Sequence, residues 1–190
     1  VASTSPEPRD ILHIFTDGSA YYGDSPAAGW AFVIIIERDE NFFFGGWAAG
    51  AVPPDTRSLD DTQKRDADEQ VRAFGMESDS QTAEAVALAM ATWWLIQMGP
   101  MAAVYCHVDH DVLRKFADGQ SRWFDPPGAA LLARAFTRVL NGAATGITRH
   151  VKAHSGQPWN EMADVLAKAA AKQELTSETP VLFPKFLHEP

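Results

Sequence analysis

Residues 148–170, TRHVKAHSGQPWNEMADVLAKAA, bring a histidine, an asparagine and an aspartate to a junction of strand, loop and helix. His154 is followed by Ser155 and Gly156, a small loop, and Pro158 suits the first turn of a helix, where its missing N–H is not needed. Asn160 and Asp164 then fall one helical turn apart on one face. Such a corner can hold a mobile base beside a fixed carboxylate. Taken alone, the segment reads more simply as a short turn, a capped amphipathic helix and a surface histidine.

Three further acids lie at the ends of apolar runs. Asp17 closes Ile11, Leu12, His13, Ile14, Phe15, Thr16, which reads as a buried strand before an Asp-Gly-Ser turn. Glu84 is the only charged residue between Asp79 and Asp109, near the start of the apolar helix TAEAVALAMATWWLIQM, where an acid can also answer the helix dipole. Asp109 ends the run from Ala102 to Val108 and precedes a helix containing Val112, Leu113 and Phe116, so that a plain N-cap is its simpler reading. All four acids share one geometry. Each stands at the carboxyl end of a strand or on a helix facing that end, where open α/β sheets place their sites.

Four acids brought together repel one another unless cations neutralise them. Oxygen ligands without sulfur or histidine pairs suit Mg²⁺ or Mn²⁺ better than zinc. Two such ions about 3.5–4 Å apart would activate a water and stabilise the leaving oxygen in phosphodiester cleavage. The six histidines are scattered and have no zinc spacing.

In order, FTDGS (15–19), SQTAEAVAL (80–88), YCHVD (105–109) and HVKAHSGQPWNEMAD (150–164) resemble ribonuclease H of the type 1 family, which cuts the RNA strand of RNA–DNA hybrids. The likeness covers roughly residues 11–173 apart from one insertion. Each motif is weak alone; the ordered set is specific. The resemblance implies an α/β fold of the ribonuclease H type, with a mixed five-stranded sheet (an antiparallel 1-2-3 meander plus two parallel strands) flanked by helices. It also implies two Mg²⁺ ions, with Mn²⁺ as substitute, held by the carboxylates of Asp17, Glu84, Asp109 and Asp164, with Gly18 counted among the metal-site residues and its carbonyl neighbourhood towards the substrate. Asp17 and Asp109 would share the ions, and Glu84 and Asp164 would complete one each. By the same likeness His154 is the mobile histidine that assists proton transfer or product release, Asn160 orients the site, and Gln81 reads the RNA minor groove through its 2′-hydroxyls. Ser19 and Ser80 join Gln81 and Asn160 as candidate substrate contacts.

Some positions depart from the family pattern. Ser80 stands where asparagine is common, and His110 where serine usually follows the third aspartate. The basic helical protrusion of many cellular members has no room between Ala117 and Ala129, which leaves Arg122 and Trp123 as its remnant grip. A catalytically silent binding or scaffolding module of a larger nucleic-acid-processing assembly is the alternative, and four converging acids argue against it. Junction resolvases and transposases, a second alternative, lack the His154 to Asp164 segment.

A 190-residue chain with 46% hydrophobic residues can bury a good core in one domain. The expected organisation is an N-terminal arm at 1–10, a catalytic domain at 11–173 carrying a polar surface insertion at 51–79, and a C-terminal arm or linker at 174–190. Within the domain, strands are predicted at 11–17, 29–36 and 41–49, with turns at Gly18 and Asp39. A helix at 81–98, a strand at 103–109, helices at 110–118 and 128–141, a strand at 146–152 and a helix at 158–173 follow.

The single cysteine, Cys106, excludes a disulfide framework and points to a reducing compartment, cytoplasm or nucleus. No stretch is long enough to span a membrane, and VASTSPEPRD has neither a start methionine nor a signal-peptide pattern, as expected of an excised piece. Both a free-standing enzyme and a domain of a reverse-transcribing element's polyprotein fit. The net charge of −9 runs against a nucleic-acid partner until its distribution is read. Residues 37–79 carry eleven acids against five bases, whereas residues 110–152 carry seven bases against three acids, a candidate phosphate track. An RNA–DNA hybrid is the expected partner, gripped weakly by so acidic a chain and more tightly with the help of a tethered domain.

Overall fold

The computed structural model describes residues 5–22, 27–52, 79–99, 101–122, 128–143, 146–152 and 155–175. Its elements are β1 (Ile11–Tyr21), β2 (Ala27–Arg38), β3 (Asn41–Val52), α1 (Ser80–Met98), β4 (Ala103–Val108), α2 (Asp111–Ala117), α3 (Gly128–Ala143), β5 (Gly146–His150) and α4 (Pro158–Ala171). The sheet order is β3-β2-β1-β4-β5. The first three strands are antiparallel, and β4 and β5 join parallel to β1. This is the mixed five-stranded sheet expected from the sequence.

Alternation along the strands assigns the two faces. Leu12 and Ile14 of β1, with Phe32 and Ile34 of β2 and Cys106 of β4, pack under α1, α2 and α3. Phe15, Ala31, Val33 and Ile35 point the other way, onto α4. Helix α1 is buried nearly all round because it lies between the sheet and α3, which explains its unbroken apolar run. Trp94 belongs to that core, and Trp93 packs on Phe136 of α3 with ring centroids 5.3 Å apart. Cys106 is buried in the same layer, where desolvation pushes its thiol up to about 12.

The two expected hairpin turns behave differently. Asp39 and Glu40 both have positive φ, 51° and 62°, the two-residue turn that matches strand twist between β2 and β3. A turn at Gly18 is not formed. β1 continues through the Asp-Gly pair to Tyr21, because Asp17 and Gly18 stay in register with Ala31 and Trp30 of β2. The cross-strand pairing of a whole strand outweighs the local turn preference of one dipeptide.

At the opposite end of β1, Arg38 grips the fully buried Asp10 through two 2.7 Å hydrogen bonds and reaches Glu7 at 3.1 Å, tying residues 7–10 to the sheet. On the α4 face, His13 donates from Nε2 to Glu37 at 2.8 Å and meets His107 Nε2 at 3.2 Å, clipping β2, β1 and β4 together. Burial, then the neighbouring His13 and Arg149, lower His107 to about 4, so its ring is neutral and stacks on Phe15. No helix among the described residues is long and apolar enough to cross a membrane. The expected insertion lies outside the described residues from 53 to 78, and so does the C-terminal arm beyond 175.

Candidate functional site

Parallel register fixes the first two acids. Val108 of β4 is level with Thr16 of β1, so Asp109, the next residue, comes level with Asp17. The cap expected of Asp109 falls instead to His110, whose Nδ1 accepts from the Leu113 N–H at 3.1 Å at the start of α2. Asp109 is thereby left to face the site.

The third acid arrives on α1. Asp79 caps that helix, accepting from the Thr82 N–H at 2.9 Å and the Thr82 hydroxyl at 2.6 Å. Glu84 therefore stands beyond the first turn and does not serve the helix dipole. Gly18 makes the approach possible: a Cβ there would lie 2.1 Å from Glu84 N and 2.4 Å from the Ala83 carbonyl carbon. Gly18 is the contact point between β1 and α1. Its N–H faces both the Asp17 and the Glu84 carboxylates.

Asp17, Glu84 and Asp109 offer carboxylate oxygens within 4.8 Å of one another, a grouping unique among the described residues. Asp17 is only 5% and Glu84 7% exposed. Burial first, then the charges of Asp109 and Asp164, raise Asp17 to about 8. Burial, then Asp17 and Asp109, hold Glu84 well above the usual carboxylate range, and burial also raises Asp109. The Glu84 and Asp109 carboxyl groups interact directly, while Glu84 Oε2 is buried with no hydrogen-bond partner. An acid that is buried, crowded by like charges and left with an open oxygen fits a divalent cation with oxygen ligands.

Helix α4 supplies the rest. Pro158 opens it as expected, and Gln157 caps it, accepting from the N–H groups of Trp159 at 2.6 Å and Asn160 at 3.1 Å. Asn160, 2% exposed, donates to Asp109 and leaves its Oδ1 buried without a partner. Asp164 is near enough for its charge to raise Asp17, but its carboxylate turns to Lys168, Oδ2 to Nζ 2.7 Å, and is not part of the three-acid group. The structure thus brings together three of the four predicted acids plus Asn160, with the fourth acid close by.

The other predicted residues are distributed differently. Ser80 and Gln81 are exposed on the first turn of α1, Ser19 is half-buried on β1, and Arg122 is exposed after α2. His154 and Trp123 lie outside the described residues. Of the seven bases in 110–152, Arg114 and Lys115 pair with Asp111 at 2.8 and 2.5 Å, and Arg134 and Arg149 lie over the rings of Phe116 and Tyr105. Arg122, Arg138 and Lys152 are exposed.

Three residues escape the sequence reading. Lys168 is signalled only by its four-residue spacing from Asp164. Gln157 is not a favoured cap type. His150, whose Nε2 lies 3.2 Å from the Asp109 carbonyl oxygen, reaches the site through strand register, which leaves no local mark.

No protein-family model matches the chain, and no curated protein matches it in sequence. Solved structures are similar to it. RNase H1 of the halophilic archaeon Halobacterium salinarum NRC-1 aligns with a TM-score of 0.56 at 18% identity, over 86% of this chain and 98% of that one. The RNase H domain of prototype foamy virus gives 0.59 at 15% identity, over 87% and 96%. LC11-RNase H1, isolated from compost by a metagenomic approach and solved in complex with an RNA/DNA hybrid, gives 0.57 at 15%, over 87% and 99%. The fold is that of ribonuclease H.

Proposed function

We propose that the chain is an endoribonuclease that hydrolyses the RNA strand of RNA–DNA hybrids with the help of two divalent ions, Mg²⁺ or Mn²⁺. The observation that carries this reading is the convergence within 4.8 Å of Asp17 within β1, Asp109 just after β4 and Glu84 on α1. It gains support from a fold shared with a ribonuclease H1 solved in complex with an RNA/DNA hybrid.

When bound, the ions would supply charge to stabilise the phosphorane-like transition state and acidity to activate a water. The protein's own part is arrangement. Asp17, Glu84 and Asp109 would hold one ion, and Asp164 with Asp17 would hold the second. Asn160 fixes the Asp109 carboxylate through its amide donor, and Gly18 keeps Glu84 seated against β1. Ser80 and Gln81, exposed on the first turn of α1, would read the substrate backbone and minor groove. His154 is assigned proton delivery to the leaving oxygen on its sequence position alone. A silent scaffold would gain nothing from a buried, unpaired Glu84 oxygen among like charges, which disfavours that alternative. The foamy virus domain belongs to a protease-reverse transcriptase, and a similar larger polypeptide suits a chain whose own basic grip is small.

The test is cleavage of a labelled hybrid in Mg²⁺ or Mn²⁺ beside single-stranded RNA, duplex RNA and duplex DNA, with Asp109→Asn as control. Hybrid-selective cutting is expected, reduced roughly 100-fold or more by the substitution, which removes an anionic ligand at constant volume. Equal turnover by a folded Asp109→Asn protein would overturn the reading.

A further inference from the structure

The four acids are not equivalent. Three crowd together, whereas Asp164 carries an ammonium of the protein's own, Lys168 Nζ at 2.7 Å from Oδ2. Lys168 lies one turn further along α4, so the helix holds the two side chains on one face. The Asp164 side chain is 14% exposed and that of Lys168 51%, so the carboxylate is largely buried and the lysine half open to solvent. Both charges are felt at Asp17: Asp164 raises it and Lys168 lowers it. Lys168 is held above its ordinary range, first by its hydrogen bond to Asp164 and then by the charges of Asp164, Asp17 and Glu161.

We infer that Lys168 is a resident counter-cation of the Asp164 half of the site, competing there with a divalent ion and so making the two ions bind unequally. The inference rests on the metal reading above. An ion held by Asp17, Glu84 and Asp109 would not have to displace the Lys168 ammonium, which is bonded to Asp164. An ion recruiting Asp164 must detach Lys168 or bind beside its positive charge, and either course weakens it. Lys168 is therefore a positioning residue: it keeps the fourth carboxylate ordered and neutralised until the second ion arrives. A plain surface helix pair would leave ion affinities untouched, which makes the two roles separable.

The experiment is titration of Mn²⁺ into the full chain with no nucleic acid, following free Mn²⁺ by electron paramagnetic resonance, for wild type, Lys168→Met and Lys168→Arg. Circular dichroism verifies that each is folded. Wild type is expected to bind one ion tightly and one more weakly. Lys168→Met, similar in length but uncharged, should tighten the weaker ion roughly tenfold, as expected for removing a unit charge close to a divalent one in a partly screened site. The tighter ion should change far less, because Lys168 reaches it only through its charge at Asp17, and Lys168→Arg should behave as wild type. Two ions bound by wild type with affinities that Lys168→Met does not alter, or alters equally, would overturn this inference alone. A wild type that binds no Mn²⁺ would overturn the metal reading and this inference with it.

Discussion

Asp17 sits in an environment far from that of a carboxyl group in water. Burial and the charges of Asp109 and Asp164 raise it to about 8, against 3.8 for the free side chain. The folded state therefore holds this proton across a pH range in which the unfolded chain has released it. A carboxyl raised on folding contributes stability that is complete below pH 4 and is lost as pH rises through 8. Without divalent ions, Asp17→Asn should consequently be more stable than wild type at pH 8 by at least ~1 kcal/mol, about 2–4 °C in melting temperature, and the gap should close towards pH 4. Thermal unfolding in a chelator at both values checks this, and a less stable Asp17→Asn at pH 8 would contradict the assigned cause. Adding Mg²⁺ or Mn²⁺ should reverse the order, because the ion stabilises only the charged carboxylates of wild type. At this scale the sequence singled out the three acids that converge in the fold, and Asp164 near them. Their isolation at the ends of apolar runs is visible in one dimension, whereas the transfer of the cap from Asp109 to His110 depends on a local geometry that both residue types allow.

Two close approaches between strand and helix give the elements their positions. α4 lies on β2 so closely that a Cβ on Gly29 would stand 2.3 Å from the Ala167 carbonyl oxygen and the Ala171 nitrogen, which is why the buried face of α4 is made of alanines. α1 does the same on β1 at Gly18, and there the contact carries Glu84 to the site. Gly18→Ala forces the added methyl against backbone, which cannot rotate aside. It should cost ~1–3 kcal/mol in thermal unfolding. If α1 shifts by about 1 Å to relieve the clash, metal-dependent cleavage should fall by roughly 100-fold. Unchanged stability and activity would show that α1 does not rest on this residue. The DGS motif was legible as a candidate site but misleading as structure. Its glycine suggests a turn, and only the partner helix reveals that the missing side chain serves a packing contact.

Over the whole molecule, a net charge of −9 limits what the surface can do for a polyanionic substrate. Four of the seven bases between 110 and 152 are engaged with neighbouring acids or rings, and Arg122, Arg138 and Lys152 are exposed. Hybrid binding is accordingly expected to be weak, with a log–log salt slope no steeper than about −4, equivalent to four or five phosphates. Fusion to a hybrid-binding module should lower KM at least about tenfold and leave kcat unchanged. A much steeper slope, measured by fluorescence anisotropy, would mean that those paired bases turn to the substrate after all. The sequence by itself determined the order of strands and helices, because hydrophobic periodicity is written locally, while the mixed sheet followed from the resemblance of its ordered motifs to a known family. Only the tertiary structure decided that β1 runs on past Gly18, that His150 reaches Asp109, and that Asp164 leans on Lys168 while the other three acids converge. Those outcomes depend on which backbones approach, at what register and with which charges left over, and pairings between residues distant in the chain leave no trace in the spacing of either partner.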